Sequence, residues 1–563
     1  MKFTAAIALL LATGAPAIAQ DTTIYRGGPI ITMDGDTART VEAVVTTGGR
    51  IVFVGSEKQA RAAAAGKDAA IHDLQGTTLL PGFIDAHSHF TVRAMSAGGL
   101  DLRDGAPIAN MAGVKAAIRD HVAGAAAGPR WLTVWQFDHE VLAEKRYITR
   151  AELDAIAPDR PLVVLHVSLH GAVANSAALE AAGIDEATPV PPGGMMLRDE
   201  AGKLNGVLLE KAMFLLIAKM PQPTADQKLA ALDAAQNAYF AEGYTHAQDG
   251  ATQPPDLAFL TSPAARERLK IDLALLPFST GLDALLANPD SEFGTYRGHV
   301  KLQGIKFVLD GSVQARTGYF TRDYRRGSPE GDHPWHGKPV LSEAEFIAQA
   351  KKVHDRGWQL FVHANGDAAI DMAIRGFDAL GIKASDDRRP IVIHSQFQRP
   401  DQLAAYKRIG VGPAYFSNHA WYWADVHRTN FPNDVVDFIS PFRSAHAAGL
   451  TPSNHSDYSV TPLDTRFMLW TSMARVSPTG VVSGVGERLN AYEALQALTT
   501  GPAWQAHEED RKGRIKAGLL ADFVILDKNP LETPVDGIRG IKVLETIKEG
   551  RSVWRQPAGA APR

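Results

Sequence analysis

The 563-residue chain contains no cysteine. This absence excludes disulfide bonds and thiolate catalysis, so stability must come from an apolar core, which a chain of this length can bury. The chain also lacks an excess of either charge, because 58 Lys and Arg stand against 62 Asp and Glu, a formal net charge of −4. This balance gives no electrostatic reason to expect a nucleic acid or an anionic membrane as a partner.

Long apolar runs are also absent, except for residues 3–12 near the N-terminus, which are too few to cross a bilayer. Lys2 precedes this run, and Ala17-Ile18-Ala19 gives an A-x-A cleavage site. The pattern predicts a signal peptide, 1–19, and a mature chain from Gln20; the alternative is a small helical membrane anchor. We therefore expect a soluble protein that is exported to the periplasm or secreted.

Both ends of the mature chain show the Gly-broken alternation of apolar and polar residues that is typical of antiparallel β-strands. Because both ends share this pattern, we predict one small composite β-sandwich domain, with an N-terminal part at 20–80 and a C-terminal part at 506–556. The tail, 557–563, is expected to be disordered.

The middle of the chain, 81–505, alternates helices and apolar strands. Near-continuous apolar strands predict a parallel sheet, and eight repeats favour an α/β fold with a closed (β/α)8 TIM-like barrel. Residues 93–240 separate the first two strands, too many for a loop, and are predicted to form an inserted cap subdomain. The strand segments are GFIDAHSHF, YTHAQDG, IDLALLPF, KLQGIKFVLDG, WQLFVHANGD, RPIVIHSQF, GVGPAYFS and LTPSNHSD.

Polar residues that can bind metals lie near the carboxyl ends of five of these strands. In a barrel, such ends meet at one mouth. Each residue has a structural alternative: the histidines could fill the core or bond loop carbonyls, Lys306 could pair with Asp310, and Asp457 could cap a helix. Their common position instead indicates one site. The residues are His87, His89, Lys306, His363, His394 and Asp457.

The chemistry of this set suits a divalent metal. Neutral imidazoles with a carboxylate bind zinc or a similar ion, which lowers the pKa of bound water to about 7. An ammonium at Lys306 would oppose such an ion, whereas a lysine carboxylated by carbon dioxide would be an anion that bridges two ions. Asp457 can bind a metal and accept the proton of the attacking water.

The sequence resembles the amidohydrolase superfamily and, within it, the YtcJ-like amidohydrolase family 3 that includes N-substituted formamide deformylases. The resemblance implies a metal-dependent hydrolase of C–N bonds with one or two divalent ions, zinc being expected. It implies the six residues above as ligands, with Lys306 carboxylated. The motifs that carry it are LLPGFIDAHSHF, GIKFVLDGSVQART and LNAYEALQALTTGPAWQAHEEDRKGRIKAGLLADFVILD.

The chain departs from this family at the eighth strand. The family often reads G-S-D before Pro-Val, whereas this chain reads PSNHSDYSVTPLD, so Asp457 is kept while His455 and Tyr458 change the rim of the site. Candidate substrate contacts are His170, Arg316, Trp421 and Tyr422. For His170 the alternative is a role in holding the insertion together, and for the aromatic residues it is packing of their loop.

The leading hypothesis is a hydrolase of amide, N-acyl or N-formyl bonds that acts on a small-molecule amide, with Asp457 as general base. The same scaffold also permits an esterase, lactonase, cyclic amidase or deaminase. A non-catalytic exported binding protein is the alternative from another class, and the complete ligand set argues against it because a binding protein needs no base. No motif decides whether the chain forms a homo-oligomer.

Overall fold

The structure, a computed structural model, describes residues 21–95, 99–103, 108–125, 128, 131–221, 223–289 and 291–557. No helix in these ranges is long and apolar enough to cross a membrane. The predicted signal peptide, 1–19, lies outside the described residues, as does the predicted tail after residue 557.

The N-terminal segment forms five strands and a helix that Ser56 caps by accepting the N–H of Gln59. The first strand is long and pairs with three neighbours along its length, helped by an irregularity between Arg26 and Ile30 that allows it to bend. The elements are β1 (Thr22–Ile31), β2 (Thr40–Thr47), β3 (Arg50–Gly55), α1 (Glu57–Ala63), β4 (Ala69–Asp73) and β5 (Thr78–Pro81).

The segment that follows begins with a short buried strand and helix and continues into a separate six-stranded sheet with strand order β11-β12-β10-β9-β8-β7. Apolar clusters cover this sheet, and its helices have side-chain caps such as Asn175 and Thr149. The elements are β6 (Phe83–Ile84), α2 (Phe90–Met95), β7 (Leu100–Asp101), α3 (Met111–Gly124), β8 (Leu132–Phe137), α4 (Arg150–Asp154), β9 (Leu162–His166), β10 (Gly171–Ala174), α5 (Ser176–Ala182), β11 (Gly194–Arg198), β12 (Leu204–Glu210) and α6 (Lys211–Ile217).

Alternating helices and strands follow, and both predicted capping boxes, at Thr224 and Ser342, are present. The elements up to the fifth predicted strand are α7 (Ala225–Ala241), β13 (Tyr244–Thr252), α8 (Pro254–Leu260), α9 (Pro263–Arg268), β14 (Asp272–Pro277), α10 (Leu282–Ala287), β15 (Tyr296–Arg297), β16 (Val300–Leu302), β17 (Gly304–Val308), α11 (Glu343–Asp355) and β18 (Gln359–Ala364).

The later strands are followed by more and shorter helices. These elements are α12 (Asp367–Ala379), β19 (Ile391–His394), α13 (Pro400–Ile409), β20 (Gly412–Tyr415), α14 (His419–Tyr422), α15 (Ala424–Asn430), α16 (Asn433–Asp437), α17 (Phe442–Ala447), β21 (Ser453–Asn454), α18 (Thr465–Ala474), α19 (Ala491–Gln496) and α20 (Thr500–Gln505). Short 3-10 turns occur at His139–Val141, Ser279–Gly281, Ala384–Asp386, Val485–Glu487 and Val535–Gly540.

Two five-stranded sheets contain all eight predicted strand segments, in the orders β15-β16-β14-β13-β6 and β17-β18-β19-β20-β21. Neighbouring strands are parallel except for β15 and β16. A parallel bridge between Phe278 and Lys306 links the sheets at one end. At the other, the N–H of Asp457 donates to the carbonyl of His87 at 3.1 Å. The residues after β21 therefore lie beside those after β6.

The C-terminal strands join the N-terminal sheet. They are β22 (Phe523–Leu526), β23 (Val543–Lys548) and β24 (Arg551–Arg555). β22 pairs antiparallel with β5, which gives one eight-stranded sheet with the order β24-β23-β22-β5-β1-β2-β3 and β4 beside β1. The N-terminal and C-terminal strands are thus hydrogen-bonded in one sheet. This sheet folds back on itself, since an antiparallel bridge joins Arg50 in the edge strand β3 to Leu520, which lies just before β22.

The main core lies around the parallel strands, and α7 belongs to it through Leu232, Tyr239 and Phe240. The predicted insertion, 93–240, included helix α7. In the structure the apolar face of α7 packs against β13 and α2, so the helix belongs to the core around the parallel strands. The six-stranded sheet itself ends at Glu210. The difference arises because a helix is assigned to a layer by the surface that it covers, which sequence spacing does not specify.

Candidate active site

The side chains predicted as metal ligands lie together where the parallel strands end. Lys306 is in β17, and His363 and His394 are in β18 and β19. The remaining three, His87, His89 and Asp457, follow β6 and β21. All are buried except His89, which is partly exposed.

His87 has contacts with two of the other predicted ligands. Its Nε2 is 3.2 Å from Nζ of Lys306 and 3.6 Å from Oδ1 of Asp457. The same carboxylate oxygen is 3.5 Å from Nε2 of His89. Donor atoms of His87, His394 and Asp457 all lie within 4.8 Å of one another. This spacing is short enough for one small ion to contact all three residues.

His363 and His394 form the other side of the cluster, with Nδ1 of His363 3.1 Å from Nε2 of His394. The centroids of the His394 and His87 rings are 5.6 Å apart, which connects the two sides. Oδ1 of Asp310 is 3.4 Å from Nε2 of His363. The cluster therefore spans strands from both five-stranded sheets.

The Lys306 amine lies against His87 rather than against Asp310, which was the structural alternative. The Asp310 carboxylate instead accepts the backbone N–H groups of Tyr319, Asn365 and Gly366. Burial lowers the pKa of Lys306 to about 7, and the charge of Asp457 acts in the opposite direction. A substantial fraction of this amine is therefore uncharged near neutral pH.

Comparison with known proteins identifies the family. A family model described as the amidohydrolase family matches residues 70–554. The chain belongs to the amidohydrolase family. It is 30% identical to an N-substituted formamide deformylase of Arthrobacter pascens over 90% of this chain and 94% of the relative. It is 25% identical to the YtcJ protein of Bacillus subtilis strain 168 over 95% and 99% of the two chains.

A solved structure supports the fold. An uncharacterized metal-dependent hydrolase from Pyrococcus horikoshii OT3 superposes with a TM-score of 0.73 at 22% identity, over 92% of this chain and 99% of the other. This likeness shows a shared α/β fold. Membership of the amidohydrolase family makes the protein a hydrolytic enzyme of the class that cleaves carbon–nitrogen bonds.

The imidazoles of this amidohydrolase cluster are in the form that binds metals. Burial lowers the pKa of His87 and of His394 well below its ordinary value, and nearby Lys306 and the other imidazoles add to the effect. Burial alone would raise the pKa of Asp457, but the imidazoles of His89 and His87, whose Nε2 atoms lie 3.5 and 3.6 Å from Oδ1, hold it below the ordinary value. The site thus combines neutral rings with an ionised carboxylate.

This donor set fits a divalent ion. Imidazole nitrogens and a carboxylate are the ligands that zinc and similar ions prefer. Oδ1 of Asp457 is buried and has no hydrogen-bond partner. The Asp457 carboxylate lies within 4.8 Å of donor atoms of His87 and His394, so this oxygen is free to bind a cation there. The cluster therefore supports a divalent metal in this family member.

The predicted substrate contacts differ in their positions. His170 comes to the cluster from the loop after β9, with its ring centroid 5.1 Å from that of His363. Tyr422 lies beside Trp423, with ring centroids 5.4 Å apart, on the apolar side of the site. His170 thus contacts a proposed ligand directly, whereas Tyr422 packs against the apolar cluster that contains Phe416.

Arg316 and Trp421 have other surroundings. Arg316 donates to Glu140 at 3.4 Å and to the carbonyl of Ser328 at 3.2 Å, so its guanidinium helps to attach the six-stranded sheet. Trp421 packs against Trp470, with ring centroids 5.2 Å apart. The structure does not bring Trp421 to the cluster, because its ring fills the space beside α18.

Three residues near the site were not among those predicted. Oε1 of Gln248 is 2.9 Å from Nδ1 of His87, and Oε2 of Glu210 is 2.7 Å from Nδ1 of His170. The third residue, His455, is fully buried within the cluster, and burial lowers its pKa to about 3. The sequence positions of two of these residues pointed to the site, because Gln248 lies in the second predicted strand and His455 lies close to Asp457. Nothing in the sequence around Glu210 pointed to the site.

Proposed function

We propose that this amidohydrolase is a metal-dependent enzyme that hydrolyses amide, N-acyl or N-formyl bonds of small molecules, with Asp457 as general base. The observation that carries the proposal is the convergence of donor atoms from His87, His394 and Asp457 within 4.8 Å. The 30% identity with a relative named for N-substituted formamide deformylation supports N-formyl compounds as the first substrate class.

One or two divalent ions, zinc by expectation, would be held by residues from strands of both sheets. When bound, such an ion polarises the substrate carbonyl and lowers the pKa of a water molecule. The buried neutral histidines and the ionised Asp457 suit this role. The proposed ligands are His87, His89, Lys306, His363, His394 and Asp457.

The chain's own residues supply the proton transfers. Oδ1 of Asp457 is aimed at the histidine cluster and is free to accept a proton from the attacking water. The protonated carboxyl can then donate this proton to the leaving nitrogen. His170 borders the same space and is oriented by Glu210, which makes it the proposed contact to a polar group of the substrate.

Lys306 is proposed to act as a carbamate. Its uncharged amine attacks carbon dioxide: an N–C bond forms, one C=O π bond opens and one proton leaves the nitrogen, so that an anion replaces a neutral amine in the cluster. The 3.2 Å distance between Nζ of Lys306 and Nε2 of His87 supports this role, because a carboxylate added to Nζ would lie among the ligands. It would also remove the repulsion between an ammonium and a divalent ion.

The finer architecture is part of the same proposal. We infer that the two five-stranded sheets close into a (β/α)8 barrel, supported by the Phe278–Lys306 bridge and the hydrogen bond from Asp457 to His87. The six-stranded sheet would form a cap that brings His170 to the barrel mouth. The folded-back terminal sheet would be the composite β-sandwich.

We also propose that the protein acts after export, as its N-terminal sequence predicts, with Gln20 as the first mature residue. Its partner would be a small-molecule amide, with neither nucleic acid nor membrane involved, and a homo-oligomer is compatible with this scheme. N-terminal sequencing of the exported protein tests the cleavage site, and sedimentation measurements test the oligomeric state.

The decisive experiment compares zinc-loaded and manganese-loaded protein on matched N-formyl, N-acetyl and longer N-acyl amines and amino acids. Esters, lactones, cyclic amides and amino-substituted rings with the same side groups form the second panel. We expect metal-dependent turnover that is highest on an N-acyl or N-formyl amine. Faster turnover of a compound in the second panel would show that the enzyme acts on an ester, lactone, cyclic amide or amino-substituted ring instead. Bound metal without turnover on either panel would favour a binding protein.

A further inference from the structure

His455 is the residue of the cluster that the family resemblance did not assign. It follows β21, its backbone N–H donates to the carbonyl of Tyr415 at 3.2 Å, and its side chain is fully buried. Its ring centroid is 5.4 Å from that of His87 and 5.0 Å from that of His394. His455 therefore lies against two of the proposed metal ligands.

The two ring nitrogens of His455 are both buried, and neither has a hydrogen-bond partner in the protein. Among the histidines that the structure describes, no other has both ring nitrogens in this condition. Buried polar groups in folded proteins are almost always paired, so an imidazole with two unpaired nitrogens requires a partner from outside the polypeptide. At a site that suits a divalent ion, such an ion can bind one of these nitrogens and a water molecule can bond the other.

The position of the ring is fixed by packing. Phe416 stacks on it with a centroid distance of 4.8 Å and an interplanar angle of 26°. Phe416 itself belongs to an apolar cluster with Val167, Trp423 and Val460. Because this cluster covers one face of the ring, His455 cannot turn toward solvent to satisfy its nitrogens.

We propose that His455 is an additional ligand of the metal centre, placed on the side of the cluster where His87 and His394 lie. Imidazoles bound to one tetrahedral zinc through ~2.0–2.1 Å bonds have centroids about 5 Å apart. The centroid distances among His87, His394 and His455 are 5.6, 5.4 and 5.0 Å, which agrees with this arrangement. The inference rests on the proposed metal-dependent function.

The consequence is a metal site unlike that of relatives with G-S-D at this place, because glycine offers no ligand there. One more neutral imidazole would then face the metal centre, so the chain's own atoms would fill more of its coordination sphere. A more closed site holds its ion more tightly and leaves fewer positions for substrate. We expect this enzyme to retain its metal at chelator concentrations that strip a variant without His455.

The first experiment measures metal content and chelator competition for the full-length wild-type protein, His455→Gln and His427→Gln. His427 is a matched control because it is equally buried and is bonded to His419 at 3.0 Å. Loss of an outer partner of a ligand already costs about 10–100-fold in metal affinity, so His455→Gln should cost at least about 100-fold. Unchanged affinity, or an equal loss in both variants, would overturn the proposal.

The second experiment uses the absence of cysteine from the chain. In His455→Cys loaded with Co²⁺, a thiolate ligand gives a sulfur-to-cobalt charge-transfer band in the near ultraviolet, and no other residue can produce it. The same metal should protect the thiol from alkylation. His427→Cys should show neither effect. A folded His455→Cys protein that binds cobalt without the band would overturn the proposal.

These outcomes separate the inference from the proposed function. If the wild-type protein binds no divalent metal under any loading condition, the proposed function fails and the inference fails with it. If the wild-type protein binds metal and turns over amides while His455→Gln keeps full affinity and changes only KM, the function stands. His455 would then contact substrate, and the ligand proposal would be wrong.

Discussion

Burial acts on Lys306 and Asp457 in ways that determine their chemistry. Both are nearly inaccessible, and desolvation opposes the charged form of each. For Lys306 desolvation prevails and lowers the pKa to about 7. For Asp457 the surrounding histidines prevail and hold its pKa below the ordinary value. The cluster therefore contains an ionised carboxylate beside an amine that can lose its charge.

Lys306→Ala should lose metal and activity together. The variant removes the anion that the carbamate would supply, so metal affinity should fall at least about 100-fold and turnover with it. Metal analysis after dialysis and kinetics at saturating metal measure both. Bicarbonate with short carboxylates should restore part of the activity. The exposed Lys338→Ala is the control, and a Lys306→Ala protein with full metal and activity would disprove the bridging role.

Asp457→Asn should behave differently from Lys306→Ala. The amide keeps an oxygen near the histidines but no longer accepts a proton, so kcat should fall by a factor of about 10² or more while metal occupancy falls far less. Metal content and kcat are measured on the same preparation. An Asp457→Asn enzyme with nearly full kcat would eliminate this residue as the base.

The sequence predicts the positions of single site residues better than the directions of their side chains. The positions of five proposed ligands could be predicted because each lies in an apolar strand or directly after one: His87, His89, Lys306, His363 and His394. The direction of the Lys306 amine could not, because a pairing with Asp310 had the same local signature. The contact with His87 depends on β17 lying across the site from β6, a long-range arrangement.

Strand β13 is the element that orients His87, the first proposed ligand. Gln248 in this strand lies 2.9 Å from Nδ1 of His87, which leaves Nε2 directed at the cluster. Gly250 in the same strand allows the close approach, because a Cβ there would overlap the His87 ring. A partner on the second nitrogen of a ligating histidine fixes its tautomer and orientation. β13 thus contributes to the site without supplying a proposed ligand.

Gln248→Met should weaken metal binding while preserving the fold. The side chains are similar in size, but methionine cannot accept the Nδ1–H of His87, so metal affinity should drop about 10–100-fold. Chelator competition measures the change. Gln248→Glu keeps an acceptor at the same place and should stay closer to the wild type. Equal affinities for the methionine and wild-type proteins would exclude an orienting role.

At the scale of the whole molecule, a buried charged cluster joins the parallel strands to the C-terminal segment. Asp272 at the start of β14 pairs with Lys512 and, at 3.2 Å, with Lys548 of β23. Glu508 pairs with Lys512 at 2.9 Å and also with Lys301. These ion pairs connect residues that are distant in the sequence, so their loss should affect global stability.

Asp272→Asn should destabilise the folded state strongly. The variant leaves the charges of Lys512 and Lys548 buried without this partner, and breaking a buried pair costs about 3–5 kcal/mol. Denaturant unfolding measures the free energy. The control is Asp283→Asn, whose exposed carboxylate pairs with Lys352 at 2.8 Å and should contribute about 0–1 kcal/mol. Similar losses for the two variants would contradict the role of the buried cluster.

The same cluster predicts acid sensitivity. Burial alone would raise the pKa of Asp272 and of Glu508, but the lysines hold both below their ordinary values. A carboxyl with a lowered folded-state pKa stabilises the protein above its unfolded pKa of about 4, and the contribution is lost as pH falls. Unfolding free energy should therefore decline below about pH 5. Asp272→Asn should flatten this decline, and an unchanged slope would argue against the assignment.

The sequence by itself determined the residue types of the proposed ligands, the positions of the parallel strands and their helices, and the family. These features follow from local periodicity and from residues that succeed one another in the chain. Tertiary structure alone decided that His455 lies between His87, His394 and Phe416, that Gln248 orients His87, and that β5 pairs with β22 across the length of the chain. The physical reason is that strand pairing and side-chain packing depend on contacts between residues that are distant in the sequence. A local sequence pattern shows which face of a strand or helix is buried, but not which element covers that face.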